Sequence, residues 1–308
     1  MSRSKASDAE DIWTKLQKNP PTVSAETAAE SAGSSLVFVG DLNSGKSTLI
    51  QSFLKPSAVK DTKPTIALEY NFARKTSNNS KSVANLWEIG GDLVEPKLME
   101  IGITLRTLPT AVVVIVVDLS KPHNILNSVL RSISAVKETV SKRVAELQAT
   151  NVHLLNEIRE KLQAPYKNIG EDKKHPDENR VRPLDVTVVI AANKHDLFKS
   201  LPSVDRRNIM QILRFVAHFF GTHLITTSSS EVAQREAYRS LITSLAFGST
   251  TSVKPVYETN VDKLVYITKG QDSYQSIFLE HSSGTSTDTE SSLRGKVSVL
   301  SFFFLFYL

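Results

Sequence analysis

Directly behind the apolar run Leu36-Val37-Phe38-Val39 the chain reads Gly40-Asp41-Leu42-Asn43-Ser44-Gly45-Lys46-Ser47-Thr48, a complete G-x-x-x-x-G-K-[ST] pattern. This pattern restricts the fold severely. A strand has to run into the first glycine and a helix has to begin at the lysine. Successive backbone N–H groups and the positive end of the helix then converge on one anion. Lys46 is placed to reach the β- and γ-phosphates of a nucleotide, and the Ser47 hydroxyl to ligate Mg²⁺. The alternative is a chance match in a Gly/Ser turn, against which the preceding strand argues. Residues 40 to 48 are therefore the candidate phosphate-contacting set.

The rest of the pattern alternates strand and helix. Expected strands are Leu36–Val39, Ile66–Phe72, Val83–Ile89, Ala111–Asp118, Val186–Ala192 and Leu224–Thr227. "AVVVIVVD" and "VTVVIAAN" are almost continuously β-branched, as strands buried on both faces of a parallel sheet are. The expected fold is an α/β, P-loop GTPase-like, doubly wound and mostly parallel sheet with flanking helices over residues 35–250. Residues 1–34 are expected to be mostly disordered, apart from a short helix over Asp8–Lys18, and residues 251–308 to form a partly disordered extension. An enlarged helical insertion runs from Asn124 to Leu162. A straight helix of about 40 residues would reach about 60 Å, so a break is expected near Ala149-Thr150-Asn151. The part beyond the break either packs on a neighbouring helix or offers a face to a partner.

Composition narrows the chemistry. Cysteine is absent, which excludes disulfides and thiolate-held metals. The seven histidines show no metal-ligand spacing, so a metal would have to sit among oxygen ligands, as Mg²⁺ does. The net charge of +5 is dispersed, and the short pairs Lys173-Lys174 and Arg206-Arg207 lack interleaved aromatics; they read as solvated surface, with no direct nucleic-acid contact. Residues 1–11 are polar and charged, without the pattern of a signal peptide, and no transmembrane segment is expected. These features imply an intracellular soluble protein.

A second motif addresses the base. "NKHD", Asn193 to Asp196, follows a strand and resembles the N-K-x-D element of GTP-binding proteins. Asp196 would accept hydrogen bonds from the guanine N1–H and amine, Asn193 would orient the loop, and the Lys194 stem would lie over the base. Adenine lacks both donors, which would leave the carboxylate unpaired. The plainer reading makes Asp196 a helix cap. Ser228 and Ser229, after Thr227, match the position of a third base-contacting loop, without its usual lysine. On the catalytic side, "WEIGGD" stands where D-x-x-G is expected: Glu88 replaces Asp, Gly91 keeps the glycine, and Asp92 occupies the usual Gln position. Asp92 cannot donate an amide hydrogen bond, and its charge would repel a γ-phosphate. Leu42 and Asn43 crowd the loop where active GTPases carry small residues. Thr65 is available as the switch threonine, and Ser47, Thr65 and Glu88 form the expected Mg²⁺ set, directly or through water. The expectation is a site that binds GTP or GDP with Mg²⁺ and is not an efficient enzyme.

"KPTIALEYNFAR", "LWEIGGD", "LRTLPTAVVVIVVDLSKP", "AANKHDLFKS" and "LRFVAHFFGTHLITTSS" together resemble the cytoplasmic dynein light intermediate chain family, most of all its dynein-2, ciliary branch. The resemblance covers roughly Leu36 to Gly270 and continues through "LVYITKGQDSY". It implies a non-catalytic motor subunit, with guanine nucleotide bound structurally. The implied partners are the dynein-2 heavy chain, whose tail it binds and stabilises, other dynein-2 subunits and the intraflagellar transport machinery. The implied locations are cytoplasm, cytoskeleton and cilium, including basal body and axoneme. The segments 124–162 and 253–280 become candidate heavy-chain contacts. The competing class is a small-GTPase-like switch with slow hydrolysis.

The chain closes on "RGKVSVLSFFFLFYL", after the Ser/Thr-rich stretch 282–292 that reads as disordered. Residues 297–308 are too few for a membrane helix of about 20 residues. They also lack the spacer of a lipid-anchor signal. Lys296-Val297-Ser298 can be encoded AAG-GTA-AGT, an exon end followed by a splice donor, and a translated pyrimidine-rich intron yields Phe and Leu runs. The expectation is that residues 297–308 are retained-intron sequence. Genomic DNA across these codons is expected to show GT at the start of codon 297; any other dinucleotide there ends the idea.

Overall fold

The computed structural model describes residues 33–55, 64–77, 80–91, 95–167, 175–248 and 256–279. The helix expected over Asp8–Lys18, Asp92 and the apolar run 297–308 lie outside the described residues. Eight strands form one mixed sheet: β1 Ser34–Val39, β2 Leu68–Ser77, β3 Ser80–Ile89, β4 Ala111–Asp118, β5 Thr187–Asn193, β6 His223–Thr226, β7 Tyr257–Glu258 and β8 Tyr266–Ile267. Their spatial order is β2-β3-β1-β4-β5-β6-β8-β7. The five central strands are parallel, whereas β2, β8 and β7 pair antiparallel.

The helices are α1 Lys46–Leu54, α2 Pro96–Gly102, α3 Ile125–Thr150, α4 Val152–Lys167, α5 His195–Phe198, α6 Ser203–Phe219, α7 Val232–Phe247 and α8 Tyr274–Leu279. Alternation along the central strands feeds two cores. Val37, Val39, Val113, Ile115 and Val117 enter the larger one with Val129 and Ile133 of α3 and Leu213 of α6. Leu36, Phe38, Val112, Val114 and Val116 enter the other with Ile50 of α1 and Leu241 of α7. Burial on both faces is the reason these strands carry so few polar residues. The parallel register also sets Asp118 beside Asn193 at one end of the sheet.

The long helical segment breaks at the expected place. Asn151 takes φ −154° between α3 and α4, and its Oδ1 accepts the Leu154 N–H at 3.1 Å, capping the second helix. Beyond the break, Leu155, Ile158 and Leu162 are buried in the larger core, so this stripe packs within the chain.

Residues 256–279 complete the sheet and do not stand apart from it. Thr226 N–H donates to Val265 O at 2.8 Å, and Val265 N–H to Thr226 Oγ1 at 2.9 Å. Arg214 of α6 clamps the buried Asp272 carboxylate through Nε at 2.8 Å and Nη2 at 2.9 Å. Asp177 Oδ2 receives His218 Nε2 at 3.0 Å and the Tyr274 N–H at 2.9 Å. His175, Asp177 and His218 bring their donor atoms within 4.8 Å of one another. His175, however, already accepts the Asp177 N–H on Nδ1 and donates from Nε2 to Asp272 O, so it has no lone pair left for a metal. The cluster is a buried polar knot that holds the end of the described chain.

Three histidines are held neutral by the fold. Burial lowers the pKa of His175 and His195, and pushes His223 down to about 3. A depressed folded pKa stabilises above the unfolded value near 6.5 and is lost as pH falls toward the folded value. Unfolding free energy is therefore expected to fall as pH drops from about 6.5 toward 3. His223→Gln should flatten that limb by about one proton in urea titrations at a series of pH values.

Candidate functional site

The phosphate loop turns between β1 and α1 on three residues of positive φ, Gly40 at 142°, Asn43 at 61° and Gly45 at 97°. Asn tolerates this region, and Gly45 has a second reason: a Cβ there would stand 2.2 Å from Asn193 Nδ2. Gly40 is similarly confined, since its Cβ would lie 2.2 Å from Val116 O. Lys46 is 5% exposed, and its Nζ donates to the loop carbonyls of Gly40 at 2.9 Å and Asp41 at 3.0 Å. The ammonium thus lies inside the loop, on the side from which the phosphate would be met. Asn43 is exposed at the apex, Leu42 and Thr48 are half-buried, and Ser44 is buried. α1 begins with no side-chain cap and no acid in its first turn, so no carboxylate from its own first turn competes for its N-terminal N–H groups.

Ser47 Oγ donates to Glu88 Oε1 at 2.7 Å, bringing together two of the expected Mg²⁺ residues from the first turn of α1 and the end of β3, 41 positions apart. Glu88 is 3% exposed. Burial raises its pKa, and the hydroxyls of Ser47 and Thr65 and the Lys46 charge oppose that rise. A buried carboxylate flanked by hydroxyl oxygens is a donor set for a hard cation, so these residues fit Mg²⁺. Thr65 also donates to Glu69 at 3.2 Å. Gly90, not singled out by the sequence, allows this approach, because its Cβ would stand 2.2 Å from Thr65 O. Gly91 has φ 85°.

At the N-K-x-D turn, Asn193 is 5% exposed and bonded at both ends of its amide. Its Nδ2 donates to Ser44 O at 2.9 Å, and its Oδ1 accepts Thr227 Oγ1 at 3.0 Å. Asp196 is exposed and accepts Ser228 Oγ at 2.7 Å, which joins the two base-contacting candidates. Ser229 is exposed, with its carbonyl accepting from Arg235.

Several partners were not foreseen. Lys194, in the left-handed region at φ 62°, sends its Nζ to Asp118 Oδ2 at 2.6 Å. Burial would raise the Asp118 pKa, but the bonds from Lys194 and Ser120 outweigh it and hold the carboxyl below its usual range. Asp41 is gripped from α3 by Arg131 and, at 2.7 Å, by Asn124. His195, fully buried, pairs with Val261 O and with Gln234 Nε2, each at 2.8 Å. The one available signal was the acid ending the strand "AVVVIVVD"; Arg131 and His195 carried none.

A strand running into a G-x-x-x-x-G-K-S loop, a carboxylate facing the loop serine and an N-K-x-D turn tied to that loop define a P-loop GTPase-like domain. Known proteins agree. The family model "Dynein light intermediate chain (DLIC)" matches residues 7–197. Cytoplasmic dynein 2 light intermediate chain 1 of Homo sapiens is 35% identical over 87% of this chain and 76% of that protein; the Danio rerio protein is 35% identical over 78% and 64%. Cytoplasmic dynein 1 light intermediate chain 1 of Homo sapiens is 23% identical over 89% of this chain and 56% of that protein. The crystal structure of the dynein light intermediate chain's conserved domain superposes with a TM-score of 0.63 at 16% identity, covering 83% of this chain and 87% of that one. The chain belongs to the dynein light intermediate chain family, and its similarity is greater to the dynein-2 than to the dynein-1 relatives.

Asn193→Ala removes the bridge between the phosphate loop and the end of β6 and leaves Ser44 O and Thr227 Oγ1 without it. Urea unfolding should show a loss of about 1–3 kcal/mol. An unchanged midpoint would contradict the bridging role.

Proposed function

We propose that this chain is the light intermediate subunit of a dynein-2 motor, a non-catalytic scaffold whose GTPase-like domain holds guanine nucleotide with Mg²⁺ as a structural element. Membership of the family, with its dynein-2 relatives, supports the subunit role. The observation that carries the nucleotide reading is the convergence of Lys46, Ser47 and Glu88 at one loop and of Asn193, Asp196 and Ser228 at the next. Lys46 and the N–H groups of the loop would hold the phosphates, and Asp196 the guanine edge. Ser47 and Glu88, with Thr65 beside them, would hold the metal, which supplies charge neutralisation between the phosphates.

The non-catalytic reading follows from Glu88 and Asp92. Glu88 faces Ser47. Asp92, at the position where an amide commonly orients water, is a carboxylate and cannot do so. The subunit would bind and stabilise the tail of the heavy chain, with other dynein-2 subunits and the transport machinery of the cilium. Since α4 spends its apolar stripe inside the chain, the heavy chain would meet exposed outer surfaces of the 124–162 segment and of 256–279. Among the described residues no helix is long and apolar enough to cross a membrane.

Lys46→Ala is expected to abolish guanine-nucleotide binding, and Asp196→Asn to relax the preference for guanine over adenine by about tenfold or more, read by calorimetry with GTP, GDP and ATP. The folded Lys46→Ala protein should still co-purify with the heavy-chain tail, and single-turnover assays on the unmodified protein should recover unhydrolysed nucleotide. Loss of heavy-chain association from the folded variant would favour the switch. Failure of millimolar GTP and GDP to protect the unmodified protein against heat would sink the nucleotide reading.

A further inference from the structure

The strand β2 lies at the edge of the sheet, and among the described residues β3 is its one strand neighbour. It also carries a concentration of exposed aromatic surface: Tyr70 is 49% and Phe72 48% exposed. Tyr70 packs against Trp87 of β3 with ring centroids 4.7 Å apart and ring planes tilted by 44°, and the Arg74 guanidinium lies 4.8 Å over the Phe72 ring. A row Trp87, Tyr70, Phe72, Arg74 therefore covers one face of the outer hairpin, next to an edge that offers backbone groups.

Backbone polarity restricts what can add to this edge. Ala67 O accepts the Gly90 N–H at 2.7 Å, so odd-numbered residues of the strand direct their backbone groups toward β3. Even-numbered residues, Tyr70, Phe72 and Arg74 among them, therefore direct theirs outward. If a second copy of the strand pairs antiparallel, even positions must meet even positions. The symmetric registers near the middle of the strand are then centred on Asn71, Phe72 or Ala73. Centring on Asn71 sets Glu69 opposite Ala73, and centring on Ala73 sets Glu69 opposite Ser77. Centring on Phe72 sets Glu69 opposite Lys75 of the second copy, Tyr70 opposite its Arg74, and Phe72 opposite itself. Of the three, this register alone matches opposite charges, and symmetry makes the match twice. Glu69 and Lys75 fall at non-hydrogen-bonded positions, where cross-strand side chains come closest.

We propose that the outer edge of β2 is a self-complementary interface through which two copies of this chain pair antiparallel about Phe72. The twofold axis stands perpendicular to the sheet, so each face continues into the same face of the other copy and the aromatic rows join. An edge contact of this length is smaller than a standard interface of about 1,600 Å², so the dimer is weak and reversible, dissociating on the order of 10–100 µM.

Sedimentation of the full chain from about 1 µM to about 1 mM spans that range. The mass is expected to double across it, while the Tyr70, Phe72 and Arg74 amides gain protection from hydrogen exchange at the high end. Phe72→Asp should stay monomeric throughout. Glu69→Lys and Lys75→Glu, each setting like charges opposite one another, should each weaken the dimer about tenfold, and the double reversal Glu69→Lys/Lys75→Glu should restore it. Unchanged circular-dichroism melting would separate these effects from misfolding, as the side chains at positions 69, 72 and 75 are exposed. A wild type that remains monomeric at the highest concentration, a dimer that survives Phe72→Asp, or a double reversal that does not recover would overturn the proposal.

Discussion

The site depends on one buried primary amide. Asn193 ends β5, which lies between β4 and β6, while the phosphate loop leaves β1 on the far side of β4. An amide this deeply buried needs partners for both ends. The donor end finds Ser44 O, two residues before Lys46, and the acceptor end finds Thr227 Oγ1. A single side chain thereby ties three strand ends together. The contact is tolerated because position 45 lacks a Cβ, which would occupy the space of the amide nitrogen. The glycine that opens the helix and the asparagine that opens the N-K-x-D turn form one steric unit, although 148 positions separate them (193 − 45).

Charge is arranged around this bridge in the same way. Two cations sit at the C-terminal ends of the strands, and each has a carboxylate close by. Lys194 is paired with Asp118 at 2.6 Å, and Glu88 feels the charge of Lys46 while bonding Ser47. The two carboxyls respond in opposite directions. Asp118 collects enough donors to overcome its burial, whereas Glu88 does not and is raised. Glu88 is left with its burial only partly offset, a condition that a cation bound beside it would relieve. Asp118 is already neutralised by the chain itself, and its lysine is held toward β4.

Much of the fold was legible in the sequence because the informative residues interact locally. The strand Ala111–Asp118 coincides with the observed β4, since a continuous β-branched run can do little else than pass through the middle of a sheet. The break at Asn151 was visible from helix length alone. β2 began two residues later than expected and ran on to Ser77, and β3 began at Ser80, because Arg74, Lys75, Thr76 and Ser82 are exposed and carry no apolar signal. The strands β7 and β8 were not foreseen, each being two residues long and placed by contacts with β6 and by the Arg214–Asp272 clamp. The phosphate loop and Asn193–Asp196 were readable because their chemistry fixes spacing within a few residues. Arg131 on Asp41 and Lys194 on Asp118 span 90 and 76 positions, and long-range pairs of that kind leave no local pattern.

These contacts also bear on whether a domain of this kind acts as a scaffold or a switch. Switching needs an element with two arrangements of similar energy that a ligand can bias. The N-K-x-D turn is constrained on both sides. Asn193 is locked to the phosphate loop, and the next residue but one, His195, is buried against Val261 O and Gln234. Moving the turn would expose or orphan a neutral histidine, a buried amide and the Lys194–Asp118 pair together, each at a cost of order 1–3 kcal/mol. A ligand held at Asp196 would meet a wall already in place, and its binding energy would add to the stability of the whole arrangement by mass action. Because His195 joins that wall to residues 256–279, the added stability would reach the last two strands of the sheet. If nucleotide binds there, an arrangement of this kind would convert its binding energy into rigidity, which the proposed scaffold role would use.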